Sequence, residues 1–403
     1  MAASVAQTLP VAIIGAGVAG LALAVMLRRR GQAVAVFEAR SRASMTEGAF
    51  LTLAPNGINA LRALGLAERI AAVGIPTLGF EIMNAGGHRL IHLDERPSMR
   101  EAGADSVTLR RSDLLGVLHQ EAMALGAEIH FDHALAGIEV QQSGVRLAFA
   151  NGAEASASWL AGCDGVWSRT RRLCFPASPD PVYTGLTGVG GVADLPNVPS
   201  TDGLMHMLFG EKAFFGHIKS GDGPVFWFDS FPLDEEAALA RLDPAQLAAM
   251  VRQLHAGDPS TVRRISETIT EIPRAYPVFD MAHLPRWHDD RTVLLGDAAH
   301  AVSPHAGQGA SMAIEDAVVL SACLEDRASP EQAFALFQTL RQRRVEHIVK
   351  VSRRIGSRKQ ATGRVALFIR DLILPFFVRF GSRTTRAVTR YRADLAPLSK
   401  PAL

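Results

Sequence analysis

The run Val11-Ala12-Ile13-Ile14 followed by Gly15-Ala16-Gly17-Val18-Ala19-Gly20 restricts this chain more than any other segment. Four apolar residues read as a buried strand, and the glycines after them hold the G-x-G-x-x-G spacing. A helical pattern continues to Arg30, and a second apolar strand over residues 33–37 ends at Glu38. Glycines so placed allow a tight turn and bring a pyrophosphate close to a helix N-terminus. An acid roughly 20 positions on takes the ribose hydroxyls. Strand, glycines, helix, strand and acid therefore occur in the order that a dinucleotide-binding unit needs. Gly15, Ala16, Gly17, Val18, Ala19, Gly20 and Glu38 are read as its contacts, while Arg40 is either an exposed arginine or a flank to the adenosine. Residues 9–27 are uncharged and almost long enough to span a bilayer. No Lys or Arg precedes them, as a secretory leader requires, and the fingerprint lies in register within them, so they read as a buried βα unit.

A second segment follows the apolar run 292–295 and precedes a helix-periodic stretch over residues 310–324. It reads Gly296-Asp297-Ala298-Ala299-His300, then Ser303-Pro304-His305-Ala306-Gly307-Gln308-Gly309. A carboxylate at a strand end, a Pro/Gly loop and a helix start suit a polyhydroxyl chain that ends in an anionic ring. Asp297 can accept from a hydroxyl, and the amides from Gly307 through Gln308 and Gly309 to Ala310 point at negative charge. A reduced flavin presents that pattern. A third segment, Trp159 to Cys163, is a short apolar strand ending in Asp164-Gly165-Val166-Trp167-Ser168-Arg169-Thr170-Arg171. Its Asp-Gly permits close backbone approach to a phosphate, with Ser168 and Arg171 as added polar and cationic contacts.

Together the three segments resemble the single-component FAD-dependent aromatic hydroxylases, class A flavoprotein monooxygenases of the para-hydroxybenzoate hydroxylase fold. GxGxxG lies at Gly15 to Gly20, DGxxSxxR at Asp164 to Arg171, and GDAAH with PxxGQG at Gly296 to Gly309. The resemblance covers nearly the whole chain. It implies an α/β fold, with a Rossmann-like FAD-binding domain carrying a small antiparallel meander and a helical C-terminus. A second substrate domain is built on a β-sheet. The implied division is 1–76, 97–178 and 273–403 for the first and 77–96 with 179–272 for the second. Noncovalent FAD, NADH or NADPH as co-substrate, and O2 are implied, with oxygen passing through a flavin C4a-hydroperoxide to an aromatic or polycyclic small molecule. Arg111, in Arg111-Ser112-Asp113-Leu114, matches an arginine that reaches the flavin, and Leu135 is placed near the adenine through its backbone. Ala310-Ser311 stands where relatives often have a small residue and Asn, so that side-chain contact is in doubt here.

The remaining features fit around this frame. A chain of 403 residues, 48% hydrophobic, can bury more than one core. Its formal net charge of +2 gives no case for nucleic acid as the main partner. Cys163, Cys174 and Cys323 form no CxxC and no metal spacing, which suits a reducing compartment. No targeting segment is visible, so cytoplasm is the expected location, as monomer or homodimer. Residues 145–150 and 153–157 meet across Asn151-Gly152, a strong hairpin signal. Strand-like runs at 204–209, 213–218 and 225–230 form the second sheet, with a helix over 244–254 and a returning run over 266–272.

No side chain declares itself as acid, base or nucleophile, and the chemistry would belong to the cofactor. Pocket candidates are His305 with Pro304, which resembles salicylate hydroxylase-type enzymes, and His217 and His206 on the strands that should roof the site. Alternation lets only some of these face the flavin and does not select the face. His300 reads as bracing its loop. The basic run Arg341, Arg343, Arg344, Lys350, Arg353, Arg354, Arg358 and Lys359 reads as a solvated helix face. Apolar residues 366–377 read as packing surface or a cover for the substrate mouth in preference to a membrane-surface segment. A halogenase lacks its Trp-x-Trp pair here, whereas an FAD-dependent reductase or dehydrogenase of the same fold stays open as the alternative function.

Overall fold

The structure is a computed structural model and describes residues 9–240, 242–360 and 363–393. Val11–Ile14 lies at the centre of a five-stranded parallel sheet, between Val34–Phe37 and Leu160–Gly162, with Glu128–His130 and Thr292–Leu294 at its edges. Val11–Ile14 and Val34–Phe37 are buried throughout and apolar at every position, as strands covered on both faces must be. Alternation divides them cleanly. Val11, Ile13, Val34 and Val36 pack against the helices Val18–Arg29, Arg111–Ala124 and Gly309–Asp326. Ala12, Ile14, Ala35 and Phe37 pack against the meander Leu135–Gln141, Gly144–Phe149 and Glu154–Ala157. The hairpin at Asn151-Gly152 closes as its sequence predicts, with the Phe149 N–H donating to Ala153 at 2.9 Å.

The second sheet has seven strands, in the order Tyr276–Asp280, Val182–Ala193, Val225–Pro232, Phe214–Lys219, Leu204–Phe209, Gly79–Asn84 and Arg89–Asp94. Its outer face, with Leu208, Phe215, Trp227 and Phe231, is covered by the helices Pro244–Leu254 and Ser260–Thr268. Its inner face carries Met205, Met207, Ile218, Phe226 and Phe228, packed on Phe50 and Ile75. Those two residues belong to a small antiparallel sheet of Phe50–Leu53, Val107–Arg110 and Ile75–Pro76. The seven-stranded sheet therefore packs through its inner face on this small sheet.

Three sequence readings are corrected. Residues 266–272 do not form a strand: Val262, Ile265 and Ile269 recur at helical spacing, Ser260–Thr268 is a helix, and the returning strand is Tyr276–Asp280. The basic run is a solvated face only in part, at Arg343, Lys350 and Arg354. Within the helix Pro330–Ser357, Arg341 and Arg344 are buried against Glu315 and Asp316 and Arg353 pairs with Asp280, while Lys359, in the turn just after it, lies against the Phe214 ring of the seven-stranded sheet. The apolar stretch 366–377 packs on one side only. In the helix Arg364–Thr389, Leu374 joins Ile82, Phe209 and Phe214, while Arg370 donates to the Phe209 and Gly210 carbonyls at 2.8 and 3.0 Å. Val365, Phe368, Ile369, Leu372, Ile373 and Phe376 are exposed, and the side chain of Phe377 lies outside the described residues.

Candidate functional site

Three loops converge at the carboxyl ends of the parallel strands. In the first, Gly15 has φ +104°, and a Cβ there would lie 2.4 Å from the Cys163 carbonyl oxygen, so only glycine brings the loop this close to the neighbouring strand. A Cβ on Gly20 would meet the Gly15 carbonyl oxygen at 1.9 Å, which fixes the helix against its own loop. A Cβ on Gly17 would meet nothing within 4 Å, so that side of the loop is open. The Leu21 N–H bonds to Gly17 at 3.0 Å, leaving Val18, Ala19 and Gly20 as first-turn amides with no partner inside their helix. Glu38 Oε2 accepts from the Ala16 N–H at 2.8 Å, and its Oε1 faces Arg40 Nε at 3.4 Å. Arg40 is half exposed. The chain runs beside Glu38 again where the His133 N–H donates to its carbonyl at 2.8 Å, two residues before the buried Leu135.

The second loop differs in detail from the sequence reading. Asp164 spends both oxygens internally, accepting from Ser168 Oγ at 2.5 Å and from the Thr170 N–H at 2.8 Å. Ser168 caps the helix Arg169–Cys174 by accepting from the Arg171 N–H. The Arg171 guanidinium is buried and donates to the Ala298 carbonyl at 2.8 Å and to Val166 at 2.7 Å. Ser168 and Arg171 are thus braces that fasten this loop to the Asp297 loop, not contacts offered to a phosphate.

The third loop supplies Asp297, which is exposed although protein surrounds it on most sides. That desolvation raises its pKa, while His300 and Arg111 pull it down. A solvent-reached carboxylate so enclosed marks the floor of a cleft. Arg111 opens its helix at the same cleft, its pKa lowered by burial and then by Arg40, against Tyr276, Asp297 and Glu38. Its guanidinium makes no hydrogen bond among the described residues, which leaves a cation free between two separated acids. The Gly307 amide is taken by Pro304 at 2.9 Å, so the free donors begin one residue later than the sequence suggests. The helix Gly309–Asp326 then presents the amides of Gly309, Ala310 and Ser311. Gln308 is buried, its Oε1 accepting from Asn56 at 2.9 Å.

Sequence reasoning missed the charge cluster behind this loop. Asp316 accepts from the Gly296 N–H at 3.0 Å, from His300 Nε2 at 2.6 Å and from Arg341 Nε at 2.7 Å. Glu315 takes Arg344 at 2.8 Å, Arg341 at 2.7 Å and Asn56 at 2.6 Å. Burial raises the Asp316 pKa, but His300 and Arg341 outweigh it and hold the carboxyl at about 2. His300 braces its loop, as its sequence position suggests. Two adjacent acids among Ala313, Ile314, Ala317 and Val318 were the available signal, since buried charge demands counter-charge.

The histidines are placed differently from expectation. His206 and His217 pair across strands with rings 5.2 Å apart on the outer face, beside Phe215 and away from the inner face. They leave the pocket, and burial, with His206 adding, pushes His217 down to about 3. His305 turns toward the helix Pro330–Ser357, where a Cβ on Gly356 would be 2.4 Å from its ring. Its buried Nε2 has no partner among the described residues, and burial, then Lys359, push its pKa down to about 3. Lys359 Nζ lies 3.5 Å over the Phe214 ring at the inner face, its pKa lowered by burial to about 7. Pro304 is exposed on the loop.

A parallel sheet with open helix N-termini, a ribose acid, a cleft-floor carboxylate and a free arginine defines a flavin-nucleotide site, and the donor set fits FAD. Residues 8–354 match the family described as FAD binding domain, and the chain belongs to that family. It is 31% identical over 394 residues to the aurachin C monooxygenase/isomerase of Stigmatella aurantiaca, covering 97% of this chain and 99% of the relative. The 3-amino-4-hydroxybenzoate 2-monooxygenase of Streptomyces cremeus is also 31% identical, over 351 residues and 86% of each chain. In fold, the chain is similar to Klebsiella pneumoniae HpxO complexed with FAD and uric acid. That likeness has a TM-score of 0.82 at 23% identity, over 96% of this chain and 98% of the other.

Proposed function

We propose that this FAD-dependent monooxygenase draws its electrons from NADH or NADPH and hydroxylates or epoxidises an apolar aromatic or polycyclic molecule in the cytoplasm. One observation carries the substrate class: the inner face of the seven-stranded sheet is made of Met205, Met207, Phe226 and Phe228, with Phe50 edge-on to Phe226 at 5.4 Å. Such a surface accepts a flat hydrophobic ring and keeps water from the reacting centre. The proposed division follows the two sheets, with residues 1–76, 97–178 and 273–403 binding FAD and residues 77–96 and 179–272 roofing the substrate.

The chain's own residues then have definite work. Amides of Val18, Ala19 and Gly20 would hold the pyrophosphate, Glu38 the adenosine ribose, and Leu135 the adenine through its backbone. Asp297 would accept from the sugar-like chain, with Arg111 beside it as counter-charge. The Gly309 and Ala310 amides, aimed from a helix N-terminus, would stabilise negative charge on the ring as it is reduced. When bound and reduced, FAD supplies the electrons and the activation of O2. Asp164, Ser168 and Arg171 keep the loops in register. His305 is neutral throughout the working range and positions its loop on the C-terminal helices.

The test is NAD(P)H consumption with and without O2, over a panel of aromatic substrates. Oxygen-dependent consumption with an oxygenated product supports the reading. Equal anaerobic turnover with reduction of an alkene or quinone overturns it in favour of a reductase.

A further inference from the structure

The C-terminal helix presents to solvent a surface that the rest of the fold does not use. Val365, Phe368, Ile369, Leu372, Ile373 and Phe376 follow one another by threes and fours, and so form one stripe along Arg364–Thr389. They are exposed by 74, 70, 47, 59, 39 and 61% respectively. The opposite side is fastened to the protein, through Leu374 against Phe209 and Phe214 and through Arg370 on two backbone carbonyls. Farther along, Val388 enters the core of the FAD-binding part. The helix is therefore fastened within its first half and again near its C-terminal end, with its apolar stripe outward.

Charge is distributed to match. Residues 341–393 contain fifteen Lys or Arg and two Asp or Glu, whereas the whole chain carries only +2, so the remainder is acidic. Arg341, Arg344, Arg353, Arg370 and Arg390 are paired with carboxylates of the protein itself. Arg343, Lys350, Arg354 and Arg386 are exposed. By sequence, Arg379, Arg383 and Arg386 continue the same spacing of threes and fours beyond Phe376.

We propose that this helix lays the enzyme on the surface of an anionic lipid bilayer, its apolar stripe at the acyl boundary and its basic continuation on the lipid phosphates. No helix among the described residues is long and apolar enough to cross a membrane, so the contact is with one leaflet. A second copy of this chain is a poorer occupant, because it would bring the same arginines against its partner's stripe or against each other. An acidic leaflet satisfies both halves of the surface at once.

Flotation of the full-length FAD-loaded protein tests this, using phosphatidylcholine vesicles with and without roughly one-third phosphatidylglycerol. The protein should float with the anionic vesicles and stay behind with phosphatidylcholine alone or in high salt. Leu372→Glu/Phe376→Glu should cut bound protein by about tenfold or more while FAD content and NAD(P)H oxidation stay unchanged. Arg383→Glu/Arg386→Glu, which leaves the apolar stripe intact, should lower binding to anionic vesicles alone and decides the matter should the first variant lose its flavin. Failure of the wild type to float with anionic vesicles overturns the proposal. So does a wild-type dimer that the Leu372→Glu/Phe376→Glu change splits without any vesicle binding, which would assign the stripe to a second copy.

Discussion

Replacing Arg341 by Met tests whether the buried charge cluster holds the cofactor loop. Arg341 has no exposed surface and contacts Asp316 and Glu315 at 2.7 Å each. Arg344 remains on Glu315 after the change, so the uncompensated charge falls on Asp316, which also anchors the Gly296 N–H and His300. Breaking a buried pair from one side costs about 3–5 kcal/mol. With an unfolding entropy of about 2.1 cal/mol/K per residue, near 0.8 kcal/mol/K for this chain, the melting temperature should fall by about 4–6 °C. FAD retention should weaken in step, since Gly296 precedes Asp297. Arg343→Met, an exposed neighbour, should shift nothing measurable. Adding Asp316→Asn to Arg341→Met restores one acid to one base, keeps an acceptor for Gly296, and should recover part of the loss. Differential scanning fluorimetry with flavin quantitation reads all of this. An Arg341→Met protein that melts and binds FAD like the wild type would refute the argument.

Glu38→Ala and Asp297→Ala should each weaken FAD binding by about one to two decades, the worth of a hydrogen bond to a charged group, measured by flavin fluorescence titration; unchanged affinity would remove that residue from the site. Lys359 has a folded pKa of about 7, below its ordinary 10.5, so its burial cost is full below pH 7 and vanishes as pH rises past 10.5. Lys359→Met should therefore melt higher than wild type at neutral pH, with the gap closing in alkali, and a gap independent of pH counts against this. Asp316 runs the other way: its folded pKa of about 2 lies below 3.8, so its stabilisation is present above pH 4 and lost as pH falls toward 2. His305 is held neutral, so a rate inflection between pH 5 and 8 should survive His305→Ala, and its disappearance would show that the imidazole titrates there.

The features legible in the sequence are those whose partners are near in the chain or whose backbone demands a residue type. Gly15 and Gly20 announce their loop because no other residue fits it, and Asn151-Gly152 announces its hairpin because the turn is local. Val182–Ala193 is hidden for the converse reason. Its four glycines break the alternation that marks a strand, and a Cβ on Gly190 would lie 3.0 Å from the Trp227 carbonyl oxygen and 3.3 Å from Ala49. His206 and His217 were unplaceable because both faces of their sheet are buried, so polarity along the strand carries no direction. The charge cluster has no local trace either: Arg341 and Arg344 meet carboxylates 25 and 29 positions earlier, on a different helix. A basic run reads as solvated only while its counter-charges are out of view. The same distinction applies within the run itself, because Arg341 has an acid waiting in the core while Arg343 and Arg354, on the same helix, are exposed.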